Sequence, residues 1–143
     1  MLVFILVGLT VTTGAADRPR VLYVQLIQGN DADTPPSPES KAIGPKLSGK
    51  LRRVFRFQSY WEMNRQEIAV TAGQKIRVAL NKTRDVEIDL TGPETRKVTA
   101  FKSGKPISTT TTSIGQEMTI NGGDRDSGGV WFIVVRQDKP SVE

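Results

Sequence analysis

The sequence predicts a mostly β fold: a single antiparallel β-sandwich or open barrel with one N-terminal amphipathic helix. Three observations lead there. Short runs of β-branched and aromatic residues, several apolar at every second position, recur along the chain. Turn-forming clusters of Gly, Pro, Asn and Asp separate them at intervals of about ten residues. A single segment, 45–55, carries an apolar stripe at helical spacing.

Residues 1–16 carry no charge, run apolar from Leu2 to Val11, and end in Gly14-Ala15-Ala16. An apolar middle and a small-residue end define an export signal, so residues 1–16 are expected to be a cleaved signal peptide. The positive start usual in such signals is missing. A membrane anchor needs about 20 apolar residues, and Thr10, Thr12, Thr13 and Gly14 interrupt this run earlier. A buried first strand is the other alternative. Residues 17–143 are then read as one β-rich domain, exported to the periplasm or the extracellular space.

Arg20 to Gln28 has β-branched and aromatic residues on both faces, which predicts a largely buried strand. Residues 30–44 follow as a proline-rich loop with Pro35, Pro36 and Pro38, which forbid a helix; it is either an ordered cover or a linker. From Pro45 to Phe55 a helix is expected. Ile43, Leu47, Leu51 and Val54 form its apolar stripe, and Pro45 suits the first turn, where no backbone donor is needed. Gly49 weakens this helix by roughly 1 kcal/mol relative to Ala.

From Phe55 to Met63 the period becomes two, with Phe55, Phe57, Ser59, Trp61 and Met63 on one face of an expected strand. Glu67–Val70 and Lys75–Leu80 read as a hairpin turning at Gly73. Val86, Ile88 and Leu90 alternate with acids in another strand that ends at Gly92-Pro93. Lys97–Phe101 and Ile107–Ser113 read as a second hairpin around Ser103-Gly104, the threonines at 109–112 giving it a polar outer face. Met118-Thr-Ile is a short strand, Val130–Val135 a central one, and Gly122–Gly129 joins them.

Composition excludes much chemistry. The chain has no Cys and no His. Thiol catalysis, disulfides, thiolate and imidazole metal sites and the Ser-His-Asp triad are therefore impossible. The net charge of +5 lies wholly beyond Ala16 and leans towards anionic partners.

Four groups of polar residues could carry chemistry. Asp124 and Asp126 in Gly122–Gly129 match only part of a calcium loop: a third acid and a closing Glu are missing, and Arg125 adds positive charge. Asn30-Asp31-Ala-Asp33 poses the same question more weakly; the favoured readings are a glycine-rich turn between strands for the first segment and a solvated Asx-rich loop for the second. Glu87 and Asp89 are two apart on one strand face, as a glycosidase pair or as a solvated face. Asn81-Lys-Thr83 matches an N-glycosylation sequon. No catalytic residue, metal ligand or cofactor is assigned.

The strongest candidate is basic. Lys41, Lys46, Lys50, Arg52, Arg53 and Arg56 fall close together, opposed only by Glu39, and Tyr60 and Trp61 follow. Cations beside exposed aromatics suit a protein partner, a lipid surface or a nucleic-acid backbone. The alternative is a solvated helix face with the aromatics in the core.

Val54-Phe-Arg-Phe-Gln-Ser-Tyr-Trp-Glu-Met-Asn-Arg65, Lys105-Pro-Ile-Ser-Thr, Met118-Thr-Ile-Asn-Gly-Gly and Val130-Trp-Phe-Ile-Val-Val together resemble a loose family of small exported bacterial proteins of unassigned function. The resemblance spans about residues 47–136 and implies a series of hairpins closing on a Gly-Gly turn and an apolar strand. It implies no activity or ligand. The closing segment is also similar, over a short stretch, to secretin-type outer-membrane components. The expected function is an exported, non-catalytic protein-binding or envelope-assembly module. Its partner-binding residues are Lys50, Arg52, Arg53, Arg56, Tyr60 and Trp61. The alternative is a basic binder of anionic surfaces: polysaccharide, lipid headgroups or nucleic acid.

Overall fold

The computed structural model describes residues 20–140; the expected signal peptide, residues 1–16, lies outside the described residues. The elements are β1 (Arg20–Asn30), β2 (Lys41–Ala42), α1 (Pro45–Arg52), β3 (Ser59–Val70), β4 (Lys75–Ala79), β5 (Arg84–Asp89), β6 (Thr95–Lys102), β7 (Lys105–Ser113), β8 (Met118–Asp126) and β9 (Gly129–Arg136). They form two antiparallel sheets, one of 5 strands in the order β2-β3-β1-β9-β8 and one of 4 in the order β4-β5-β6-β7. The sheets face each other as a β-sandwich, and no closed barrel forms among the described residues.

Strands β1 and β9 are buried on both faces over most of their length, β9 through a continuous apolar run and β1 with Gln25 and Gln28 buried among its apolar residues. Leu22, Val24 and Leu26 of β1, with Ile133 and Val135 of β9, meet Val78, Val86, Ile88 and Val98 of the opposite sheet. On the other face, Ile27, Val130, Phe132 and Val134 meet Ile43, Leu47 and Leu51. Helix α1 is thus a lid on the outer face of the 5-stranded sheet. Pro45 occupies its first turn, and Lys50 and Arg52 complement the negative end of its dipole.

Several expectations are corrected. The helix ends at Arg52, not Phe55, so Val54 leaves the apolar stripe and is 73% exposed. The expected strand from Phe55 begins only at Ser59 and then runs unbroken to Val70. Phe55 and Phe57 lie before it and tuck against the helix-side cluster, Phe55 meeting Phe132 edge-on at 4.7 Å between ring centroids. The hairpin expected across Gly73 is a crossing between sheets: β3 pairs with β1, whereas β4 pairs with β5. Ile68 and Val70 do oppose Ile76, Val78 and Leu80, but through the sandwich core.

The joining loop Gly122–Gly129 is mostly strand. Strand β8 continues to Asp126 through an irregularity between Gly122 and Asp124, and a tight turn leads into β9. The β6–β7 hairpin is as expected; Ser103 and Gly104 both have positive φ, 51° and 78°, which suits the twist of a tight two-residue turn. Residues 30–44 form a cover. Asp31 Oδ1 accepts the Gln58 N–H at 2.9 Å, and the Ala32 carbonyl accepts the Ser59 hydroxyl at 2.8 Å.

Two glycines make this packing testable. A Cβ at Gly122 would meet Phe132 Cδ1 at 2.5 Å, and the Phe132 ring is 1% exposed and cannot give way. Gly122→Ala should destabilise the fold by about 1–3 kcal/mol. A Cβ at Gly49, inside α1, would meet nothing within 4 Å. Gly49→Ala should stabilise by up to about 1 kcal/mol. Urea denaturation of the two variants should move the midpoint in opposite directions.

Candidate functional site

The polar groups of the sequence fall into two places. The first is a seam between the sheets along β8. Arg84 and Arg96 reach into it from β5 and β6, and both are buried. Arg84 Nη2 lies 2.7 Å from Asp124 Oδ2 and 3.4 Å from Asp126 Oδ2. Its guanidinium carbon sits 4.1 Å from the centre of the Trp131 ring. Lys102 Nζ adds a contact to Asp124 Oδ1 at 3.0 Å. The carboxylates considered for calcium are therefore committed to cations of the same chain. Burial opposes ionisation of Asp126, but the Gly128 N–H, the Trp131 Nε1–H and Arg84 outweigh it and hold its carboxyl below the ordinary range.

Arg96 has only neutral partners among the described residues. It donates from Nε and Nη2 to Thr119 Oγ1 and from Nη2 to the Gln116 carbonyl. Burial, and then the charge of Arg20, lower its pKa. Neither arginine stands out in the sequence, because each partner set lies 20 to 42 residues away.

The other acids serve local roles. Asp31 and Asp33 accept from Gln58. Glu87 and Asp89 lie on the outer face of the 4-stranded sheet, between Arg77 or Lys75 on one side and Thr99 or Lys97 on the other. Asn81 Oδ1 accepts the N–H groups of Thr83 and Arg84 in the β4–β5 turn.

The second place is the end of α1. The basic residues expected to bind a partner are there and exposed: Lys50, Arg52, Arg53 and Arg56. Arg52 is tied down, donating to Ser48 Oγ at 3.1 Å and the Gln58 carbonyl at 3.0 Å. Lys50, Arg53 and Arg56 form no ion pair among the described residues. Tyr60 and Trp61 do not join them at the surface, which corrects that part of the expected site. Tyr60 is 4% exposed and donates its hydroxyl to the Phe55 carbonyl at 3.0 Å. Trp61 is 8% exposed and its Nε1–H donates to Asn30 Oδ1 at 3.0 Å. Both are packing residues that fix the start of β3.

In their place the structure presents an apolar groove of about 310 Å³ beside the helix end. Leu51, Val54 and Phe55 form one wall, Ile120 and Gly122 of β8 the other, and Phe132 the floor; Lys50 stands at the rim. The sequence hid it, since Ile120 is remote from the helix and Val54 reads as core.

Compared with known proteins, the chain matches no family model, no curated protein and no solved structure. No described helix is long and apolar enough to cross a membrane.

Two measurements check the electrostatics. Removing one partner of a buried ion pair typically costs about 3–5 kcal/mol, so Asp124→Ala should cost at least about 2 kcal/mol, since Asp124 keeps some access to water. Asp33→Ala, at an exposed residue, should stay within about 0.5 kcal/mol. Asp138 gives a pH dependence. Its hydrogen bond to Arg136, opposed by partial burial and assisted by Lys46, lowers its pKa from 3.8 to about 2. The unfolded chain therefore binds the proton first, so this contribution is full above pH 3.8 and lost as pH falls towards 2. The acid limb of a stability–pH curve should be shallower for Asp138→Asn than for the parent.

Proposed function

We propose that this protein is an exported, non-catalytic binding module that engages a protein partner in the cell envelope at the end of α1. One observation carries the reading: Val54 is 73% exposed and continuous with an apolar groove that Lys50 also lines. Singly exposed apolar side chains are ordinary, but an apolar surface joined to a concave site marks binding. Export is supported by the character of residues 1–16 and by the resemblance to small exported bacterial proteins. Among the described residues Lys50 is the only titratable side chain lining the groove, and the chain offers no His or Cys, which favours binding over chemistry.

A second reading is favoured by the exposed Lys50, Arg53 and Arg56, which would serve an anionic surface by counterion release. The two separate experimentally. Partners are captured from envelope extract of the native host with the parent, with Val54→Glu, and with the combined Lys50→Glu, Arg53→Glu and Arg56→Glu variant. A protein partner held by the groove should be lost at least tenfold with Val54→Glu and only moderately weakened by salt. Binding to vesicles of phosphatidylglycerol that collapses with salt and ignores Val54→Glu would favour the anionic surface. Equal capture by all three proteins would overturn the groove as the site.

A further inference from the structure

Strand β8 is the outermost strand of its sheet, paired with β9 on one side and with no described strand on the other. Its hydrogen-bonding phase is set just before it begins, where the Gln137 N–H donates to the Glu117 carbonyl at 3.0 Å. Bonded and non-bonded pairs alternate along an antiparallel ladder. Thr119 opposite Val135 and Asn121 opposite Ile133 are then bonded pairs, and Ile120 and Gly122 turn their N–H and C=O groups away from β9. Among the described residues no backbone partner reaches those groups from outside. Ile120 is half-buried and Gly122 exposed. The same two residues form one wall of the groove. An open backbone edge and an apolar pocket therefore coincide.

We propose that an extended segment of a partner protein adds to β8 at Ile120–Gly122 as a further strand. One apolar side chain seats in the groove, and carboxylates two residues to either side of it face the cationic rim. This rests on the protein-binding reading above and gives the partner its form. Unpaired edge groups are satisfied by another backbone, which a lipid chain does not supply. The rim supplies the charge preference. Lys50 stands at the rim of the groove, Arg53 adjoins Val54 in sequence, and Arg125, opposite Val130, lies on the same face of the sheet as Ile120. All three are exposed and form no ion pair among the described residues.

The probe is a phage-displayed library of random nine-residue peptides selected on the intact protein, with Val54→Glu as counter-selection. The selected peptides should carry an apolar residue with acids two positions to either side. The best one is then synthesised with N-methyl groups on every second residue, in two forms that block opposite backbone edges. One form should lose at least tenfold in affinity and the other stay within about threefold, because only one edge of an added strand meets β8. Equal binding by both forms would overturn strand addition while leaving a groove-bound protein partner intact. Failure to select any Val54-dependent peptide, or selection of basic ones, would overturn the proposal. So would elution of the protein as a dimer with the edge occupied by a second copy.

Discussion

Strands β1 and β9 are buried on both faces, and the rest of the molecule follows from covering them. A sheet with one apolar face needs one cover; this sheet needs two. Each large aliphatic side chain left in water would forfeit about 1.5–3 kcal/mol. The 4-stranded sheet covers the inner face with Val78, Val86, Ile88 and Val98. The outer face receives α1 and the aromatic residues Phe55, Phe57 and Tyr60. The helix has 8 residues, so it spans only about 12 Å. Where it ends, Ile120 stays partly uncovered beside the exposed Val54, and the space between them, floored by the buried Phe132, is the groove. The groove is a by-product of a short helix lying on a long sheet.

Apolar packing is non-directional and leaves the two sheets free to slide. Directionality comes from the seam along β8. Arg84 is gripped by Asp124 and Asp126 and stacked on Trp131, while Asn121 Nδ2 donates to the Val98 carbonyl at 3.0 Å. Arg96 reaches Thr119, which also contacts Thr112 of β7 at 3.1 Å. These contacts tie β8, an edge strand of one sheet, to β5, β6 and β7 of the other. Without cysteine, no disulfide shares this role. The seam uses the inner face of β8, which leaves its outer edge at Ile120 and Gly122 without a backbone partner among the described residues.

The sequence was most legible where burial is continuous. Val130–Val135 announces itself as a central strand and Arg20–Gln28 as a largely buried one, because both faces are covered. It was least legible where the same pattern serves two geometries. Alternation in Ile68, Val70, Ile76 and Val78 places these residues on one core whether the chain turns within a sheet or crosses between sheets. Phe55 and Phe57 alternate with Arg56 as a strand would, yet they are held by packing on Phe132 and Tyr60 in irregular chain. Trp61 beside a basic run reads as an exposed anchor; its Nε1–H belongs to Asn30 in the cover loop. The basic rim was visible as a run of Lys and Arg. The groove was not, because Ile120, Gly122 and Phe132 reach it only through the β8–β9 pairing.

The proposed strand addition depends on β8 being a paired strand on one side and an open edge on the other. Residue-resolved amide hydrogen exchange measures this directly, since protection follows whether each N–H is bonded. The amides of Thr119 and Asn121 should exchange slowly, with those of β1 and β9 slowest of all, while Ile120 and Gly122 between them exchange orders of magnitude faster. Uniform protection along Met118–Gly122 would show that another part of the chain covers this edge, and the binding surface described here would not exist.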